Sequence, residues 1–148
     1  CGGTMLATGI GENLSPLPAL PPCYIVICKP SVSVSTQEAY QKADNCIILH
    51  RPDTQILCNA LKEQNLSAVS QNMKNVFQEA MALEDVHIIT ELMIQNNALG
   101  ACMSGSGSAV FGIFETEQKA LFCSNILKQT FHHVFICKPT KHGVKSQS

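Results

Sequence analysis

A glycine-rich loop carries the residues with the clearest chemical potential in this sequence. Residues 100–115 read GACMSGSGSAVFGIFE, with Gly105 and Gly107 between two apolar runs. Glycine adopts positive φ at little cost and lets a ligand approach the main chain, so such a loop serves as a turn or as a phosphate cradle. In nucleotide-binding loops a helix follows the glycines. Here a strand pattern follows, so the residues alone favour a hairpin turn and leave phosphate contact as the alternative.

Thr36 and Tyr40 form a second candidate pair. Ser35 precedes Glu38 by three residues, which is the spacing of a capping box, and this predicts that a short helix begins at Thr36. Residues four apart share one helix face, so we expect Thr36 and Tyr40 to lie side by side. By residue type alone, packing of Tyr40 on its own domain is the commoner outcome, and a binding role is the alternative.

The remaining titratable residues form no catalytic set. The 5 histidines and 11 acidic residues are dispersed, and no serine, histidine and aspartate can be grouped by spacing. The 8 cysteines include no C-x-x-C pair, and most lie inside apolar runs such as CYIVIC. We therefore predict no catalytic residue and no metal site in this chain, and we interpret the cysteines as free, mostly buried thiols suited to a reducing cytoplasm.

Composition indicates one soluble domain with part of its surface covered by a partner. The 148 residues suffice for one ordinary domain. Charged residues make up only 14% of the chain, against roughly 25% in a typical soluble domain, so we expect a partner domain or a homodimer to cover part of the surface. A net charge of -1 gives no basis for binding nucleic acid, and no apolar run is long enough to span a membrane.

The order of predicted elements is that of a ferredoxin-like sandwich. From residue 23 onward the patterns give strand, helices, strand, strand, helix and strand, a split β-α-β order with extra helices in the first crossover. Three amphipathic patterns between residues 56 and 93 predict those extra helices. We expect an α+β fold with an antiparallel sheet. The predicted segments are a strand at 4–8, a proline-rich connector at 14–22, a domain at 23–139 and a disordered tail at 140–148.

Five motifs together resemble the C-terminal half of the GHMP kinases. In chain order from residue 2 to about residue 139 they are GGTMLATGIGENLSPLP, CYIVICKPSVSVSTQEAY, HRPDT, MKNVFQEA and NNALGACMSGSGSAVFGIF. The last is similar to the third glycine motif of the superfamily. The first two are most similar to members that act on 4-diphosphocytidyl-2-C-methyl-D-erythritol. The resemblance implies a ferredoxin-like C-terminal domain, which the element order predicts separately, and it identifies residues 1–22 as the end of an N-terminal domain and its connector.

The resemblance implies an ATP- and magnesium-dependent kinase of non-mevalonate isoprenoid biosynthesis, which phosphorylates the 2-hydroxyl of 4-diphosphocytidyl-2-C-methyl-D-erythritol. In such kinases the ATP loop, the catalytic lysine and the catalytic aspartate lie in the N-terminal half, which this sequence lacks. We therefore expect a fragment that is inactive alone, with ATP and magnesium bound mainly by the missing N-terminal kinase domain. Two alternatives stay open: a non-catalytic ferredoxin-like sensing or dimerisation module, and another GHMP kinase acting on homoserine or mevalonate.

The resemblance also implies roles for both candidate sites. Tyr40 matches an aromatic position that stacks on the cytosine ring, and Thr36 matches a substrate-side threonine. Stacking on a nucleobase is a general use of an aromatic plane, so a binding role becomes the favoured interpretation of Tyr40. Gly105, Ser106 and Gly107 match the motif that faces the ATP phosphates across the domain boundary. For the glycine loop, the resemblance thus implies a turn placed beside phosphates.

Overall fold

The structure, a computed structural model, describes residues 3–140. It begins with an antiparallel hairpin of two short strands, Met5–Thr8 (β1) and Asn13–Pro16 (β2). The sequence predicts β1 but assigns most of β2 to the proline-rich connector, and that assignment was wrong. Pro16 is compatible with β2 because it occupies the last pair of a two-stranded ribbon, where a missing N–H interrupts no central ladder. The predicted tail lies outside the described residues, except for Thr140.

The rest of the proline-rich connector packs against the domain. Leu17 and Leu20 contact a small buried cluster of Ala60, Leu61 and Val69. Burial of these apolar side chains anchors the connector through the hydrophobic effect. The segment is therefore attached to the domain along part of its length.

A four-stranded antiparallel sheet forms the centre of the fold. Its strands are Tyr24–Lys29 (β3), Gly100–Met103 (β4), Val110–Phe114 (β5) and His133–Cys137 (β6). Their spatial order is β4-β5-β3-β6, with every neighbouring pair antiparallel. The split β-α-β order predicts this ferredoxin-like sheet, and the prediction is confirmed. Because β4 and β5 are adjacent and antiparallel, the glycine-rich segment between them has to reverse the chain.

Six helices occur in residues 3–140. They are Thr36–Asn45 (α1), Thr54–Lys62 (α2), Leu66–Gln71 (α3), Val76–Met81 (α4), Glu84–Gln95 (α5) and Glu117–Leu127 (α6). Ser35, which the capping box predicts, and the further caps Asp53 and Thr116 each accept a backbone N–H at a helix start. The three predicted amphipathic patterns correspond to α2, α4 and α5, whereas α3 was not predicted. The second pattern starts at Met73, whereas α4 starts only after its cap, Asn75.

The main core lies between the sheet and the helices α5 and α6. Val26 and Cys28 on β3 are fully buried, and they belong to one cluster with Ile89 and Met93 on α5 and Leu127 on α6. Side chains of a strand alternate between its two faces, so Val26 and Cys28 share one face. This packing fixes β4 and β5, which carry the glycine-rich segment at their common end. None of the described helices is long and apolar enough to cross a bilayer.

The cysteines that the structure describes are free thiols. Five of them are buried, whereas Cys46 and Cys137 are exposed. Burial raises the pKa of Cys28 to about 12 and that of Cys102 to about 11, because desolvation disfavours the thiolate. These buried cysteines therefore act as small apolar core residues, and the described thiols are mostly buried, as predicted.

Candidate functional site

The segment Ser104–Ala109, called the glycine loop below, is a closed turn. The Ser104 amide donates to the carbonyl of Ala109 at 2.8 Å, and the Gly107 amide donates to the carbonyl of Ser104 at 3.1 Å. Gly105 and Gly107 have φ of 55° and 98°, in the region that glycine adopts readily and other residues avoid. The hairpin turn predicted from the sequence is therefore present.

The two glycines have different surroundings. A Cβ atom on Gly107 would lie 2.7 Å from Met103 Sδ, whereas a Cβ on Gly105 would meet nothing within 4 Å. Met103 is buried in the main core. The loop thus has an inner side that packs on Met103 and an outer side, at Gly105, where the main chain is accessible. Accessible main-chain amides of this kind are suited to anions.

The first residue of α1 contacts the glycine loop. Thr36 Oγ1 and Ser106 Oγ lie 3.1 Å apart and form a hydrogen bond, although the two residues are 70 positions apart in sequence. The start of α1 is fixed locally, since the Glu38 amide donates to Ser35 Oγ at 3.5 Å. The structure thus brings together a predicted substrate-side residue and a predicted phosphate-side residue.

Tyr40 is held on one side and open on the remainder. Its ring packs edge-on against Phe77 of α4, with ring centroids 4.9 Å apart and planes inclined by 68°. The residue is nevertheless 57% exposed. Edge-to-face pairs favour a defined ring orientation. Tyr40 therefore packs on its own domain and still presents an oriented aromatic surface, and its role in binding stays a prediction.

Lys29 holds one end of the glycine loop, and no motif in the sequence predicts this contact. Its Nζ donates to Ser108 Oγ at 2.9 Å, to the Val32 carbonyl at 2.9 Å and to the Pro30 carbonyl at 3.0 Å. These three bonds use every N–H of the ammonium group. Ser108 is fully buried and donates to the Val32 carbonyl. The arrangement places a positive charge beside the loop, and the only sequence signal is a lysine at the end of an apolar strand.

Asn75 holds the other end of the loop through two hydrogen bonds, and no motif in the sequence predicts this contact either. Its Nδ2 donates to the carbonyls of Met103 and Gly105, both at 2.8 Å. Its Oδ1 accepts the Phe77 amide at 2.9 Å as the cap of α4. Gln78, one turn further along α4, accepts the Met103 amide at 2.7 Å. An asparagine directly before the apolar pair Val76 and Phe77 was the available signal for the cap.

Two adjoining cavities lie beside the glycine loop and Asn75. One, of about 410 Å³, is bounded by Phe77 and Gly105 among others, and the other, of about 490 Å³, includes His50 and Glu79. Both are also lined by Asn75. The smaller cavity therefore adjoins the glycine loop directly, while the larger extends from it along α4.

Glu79 attaches the connection between α1 and α2 to α4. Its carboxylate accepts the Leu49 amide at 2.6 Å and the His50 amide at 3.1 Å, and His50 Nδ1 lies 3.4 Å away. The Leu49 hydrogen bond is the main cause of a lowered Glu79 pKa, with smaller contributions from His50. Glu79 is thus an ionised structural group. Residues 3–140 contain no cluster of three histidine, cysteine or acidic side chains able to hold a metal ion.

The fold and its loop define the class of this domain: a ferredoxin-like α+β domain with a hydrogen-bonded glycine turn between the edge strand β4 and its neighbour β5. Residues 57–133 match the family model described as GHMP kinases C terminal. The chain belongs to this family, so the family resemblance and the fold class predicted from the sequence are both confirmed.

Curated relatives agree with this assignment. A 4-diphosphocytidyl-2-C-methyl-D-erythritol kinase of Clostridioides difficile (strain 630) is 37% identical over 147 residues, which cover 97% of this chain and 50% of that protein. The kinase of the same name from Alkaliphilus oremlandii (strain OhILAs) is 46% identical over 123 residues, or 80% of this chain and 42% of the relative. The chain thus spans about half the length of the curated relatives it matches.

Solved structures support the fold. The crystal structure of a 4-(cytidine 5'-diphospho)-2C-methyl-D-erythritol kinase matches with a TM-score of 0.69 and 24% identity, over 90% of this chain and 48% of that one. A homoserine kinase from Cytophaga hutchinsonii matches with a TM-score of 0.77 and 20% identity, over 95% of this chain and 49% of the other. At these identities the likeness concerns the fold alone.

Proposed function

We propose that this chain is the substrate-side half of an ATP-dependent kinase that phosphorylates the 2-hydroxyl of 4-diphosphocytidyl-2-C-methyl-D-erythritol. The names of the curated relatives support the acceptor, and the motif resemblance supports the hydroxyl and the role in non-mevalonate isoprenoid biosynthesis. The observation that carries the proposal is the hydrogen bond between Thr36 and Ser106, because it joins the helix that bears Tyr40 to the glycine loop.

In this proposal the chain contributes binding and orientation. Phosphoryl transfer depends mostly on positioning and on stabilisation of charge. The exposed ring of Tyr40 stacks on the cytosine, and the Thr36 hydroxyl lies on the substrate side. Gly105, Ser106 and Gly107 shape the phosphate side, where the ammonium group of Lys29 adds a fixed positive charge beside the loop.

The catalytic groups are proposed to lie in the other half of the kinase. ATP and magnesium would be held mainly there, and this chain alone would be inactive. Residues 1–22 would belong to the junction between the halves, and residues 23–139 would form the C-terminal domain. Exposed apolar side chains support a covering partner surface, since Ile47 is 86% exposed and Phe135 is 58% exposed. A homodimer is the alternative cover, and the free thiols favour a cytoplasmic location.

Acceptor trials with the full-length protein that contains this chain test the proposal. We expect phosphoryl transfer from ATP to 4-diphosphocytidyl-2-C-methyl-D-erythritol, and at most weak transfer to homoserine or mevalonate. Preference for either of the latter would replace the acceptor but keep the superfamily. Absence of transfer to all three would contradict the kinase proposal and favour a non-catalytic sensing or dimerisation module.

A further inference from the structure

We infer that Asn75 is a positioning residue that fixes the glycine loop relative to the aromatic platform, the pair formed by Tyr40 and Phe77. The inference rests on the proposed function, which gives the platform and the loop their roles. Its structural basis is that one side chain bonds to both elements. The amide nitrogen of Asn75 reaches two loop-side carbonyls, and its oxygen caps the helix that carries Phe77.

The two ends of the Asn75 amide have separate tasks. Both N–H groups of Nδ2 are used, one on the Met103 carbonyl and one on the Gly105 carbonyl. The Oδ1 atom accepts the Phe77 amide. Aspartate and serine are also good helix caps, but aspartate has no donor and serine is too short to span two carbonyls. Asparagine is therefore the residue type that satisfies the cap and both carbonyls at once.

These bonds complete a ring of contacts in which α1, the glycine loop and α4 are each joined to the other two. The threonine–serine hydrogen bond ties α1 to the glycine loop, and the edge contact of Phe77 with Tyr40 ties α4 to α1. Asn75 ties α4 back to the loop. Removal of the Asn75 donors breaks the contact between α4 and the glycine loop, while the helix cap and the contact between Phe77 and Tyr40 remain. Loop placement and ring placement can therefore be disturbed separately.

Three variants separate the two tasks. Asn75→Asp and Asn75→Ser keep the helix cap and remove the paired donors, and agreement between them excludes an effect of the added charge. Asn75→Ala removes both the cap and the donors. The matched control is Asn65→Asp, because Asn65 caps α3 through the Ala68 amide at 3.0 Å and that bond is local to α3.

Amide hydrogen exchange of the full-length protein gives a readout that does not depend on activity. In Asn75→Asp and Asn75→Ser, the amides of Ser104 and Gly107 should exchange faster, while the Phe77 amide keeps its protection. In Asn75→Ala all three should exchange faster. Uniformly faster exchange across the whole chain in the capped variants would overturn the inference, because it would indicate a role in global stability alone.

Steady-state kinetics give the functional readout. Loss of two hydrogen bonds of ordinary strength to the loop should lower kcat roughly tenfold in the capped variants, with KM for the cytidine substrate unchanged. Asn75→Ala should lower kcat and also raise that KM, and Asn65→Asp should change neither. Wild-type kcat together with wild-type loop exchange in Asn75→Asp would overturn the inference. If the wild-type protein transfers no phosphoryl group, the proposed function fails, whereas loop exchange still decides whether Asn75 fixes the loop.

Discussion

Replacement of Gly107 by alanine should destabilise this protein by about 3 kcal/mol, the central value of the contributions that follow. A non-glycine residue at a φ of 98° carries backbone strain of order 1–3 kcal/mol. The new Cβ would also lie 2.7 Å from Met103 Sδ, and Met103 is only 2% exposed, so it has little room to move. Overpacking of a core typically costs about 1–3 kcal/mol. The lower entropy of the unfolded alanine chain offsets about 0.4–1 kcal/mol of this sum.

Gly105→Ala is the matched control for this substitution. Gly105 also has positive φ, at 55°, but a Cβ there would meet nothing within 4 Å. Only the left-handed backbone cost of about 1–2 kcal/mol then applies, and the unfolded-state effect reduces it to about 1 kcal/mol. The difference between the two variants therefore measures the contact with Met103 and the less favourable φ.

Urea unfolding monitored by circular dichroism measures both variants. With a slope of about 1–3 kcal/mol per molar urea, Gly107→Ala should lower the midpoint by roughly 1–2 M and Gly105→Ala by well under 1 M. Equal midpoints for the two variants would refute the packing argument. A wild-type midpoint for Gly107→Ala would refute the positive-φ argument as well.

Three further predictions concern the platform, the acid response and the thiols. Tyr40→Ala in the full-length protein should raise KM for the cytidine substrate roughly 5- to 150-fold, which is the range expected for base stacking on an aromatic ring, and should leave KM for ATP nearly unchanged. Tyr40→Phe keeps the ring and is the control. Equal effects of Tyr40→Ala on both KM values would contradict the assignment. Glu79 has a lowered pKa in the folded state, so its stabilising effect is present above the ordinary carboxyl pKa of about 4.3 and is lost as pH falls through the lower folded value. The amide shift of Leu49 should report this titration and lose it in Glu79→Gln, and a persistent titration in that variant would assign it to another group. Ellman's reagent at pH 8 should modify Cys46 before Cys137, because partial desolvation raises the pKa of Cys137 although both residues are exposed. It should modify the buried thiols only on unfolding, and fast modification of a buried thiol would contradict the packing.

The fold could be predicted because its signals are local. The apolar run of β3 predicts a buried strand, and Ser35, Asp53 and Thr116 mark three helix starts through short-range capping chemistry. The strand β2 could not be predicted in the same way. Its pairing with β1 depends on a partner strand rather than on its own propensity, and its proline suggests a connector.

The candidate site could be predicted only as separate pieces. Thr36 and Ser106 appear in different motifs, and no local pattern indicates that their hydroxyl groups meet. The roles of Lys29 and Asn75 depend on backbone carbonyls supplied by distant segments. Every residue carries a carbonyl, so residue types do not reveal which one a side chain will bind. For this reason the hydrogen bonds that hold the glycine loop could be identified only from the three-dimensional structure.

A phosphoryl-transfer assay tests the central claim most directly. It measures transfer of the γ-phosphoryl group from ATP to 4-diphosphocytidyl-2-C-methyl-D-erythritol, for the full-length protein beside the 148-residue chain. We predict transfer by the full-length protein and none by the shorter chain, because Tyr40, Thr36 and the glycine loop are proposed to bind and orient the substrate without supplying a catalytic base. Transfer by the 148-residue chain alone would contradict this account, since it would require catalytic residues within the half assigned here to substrate binding.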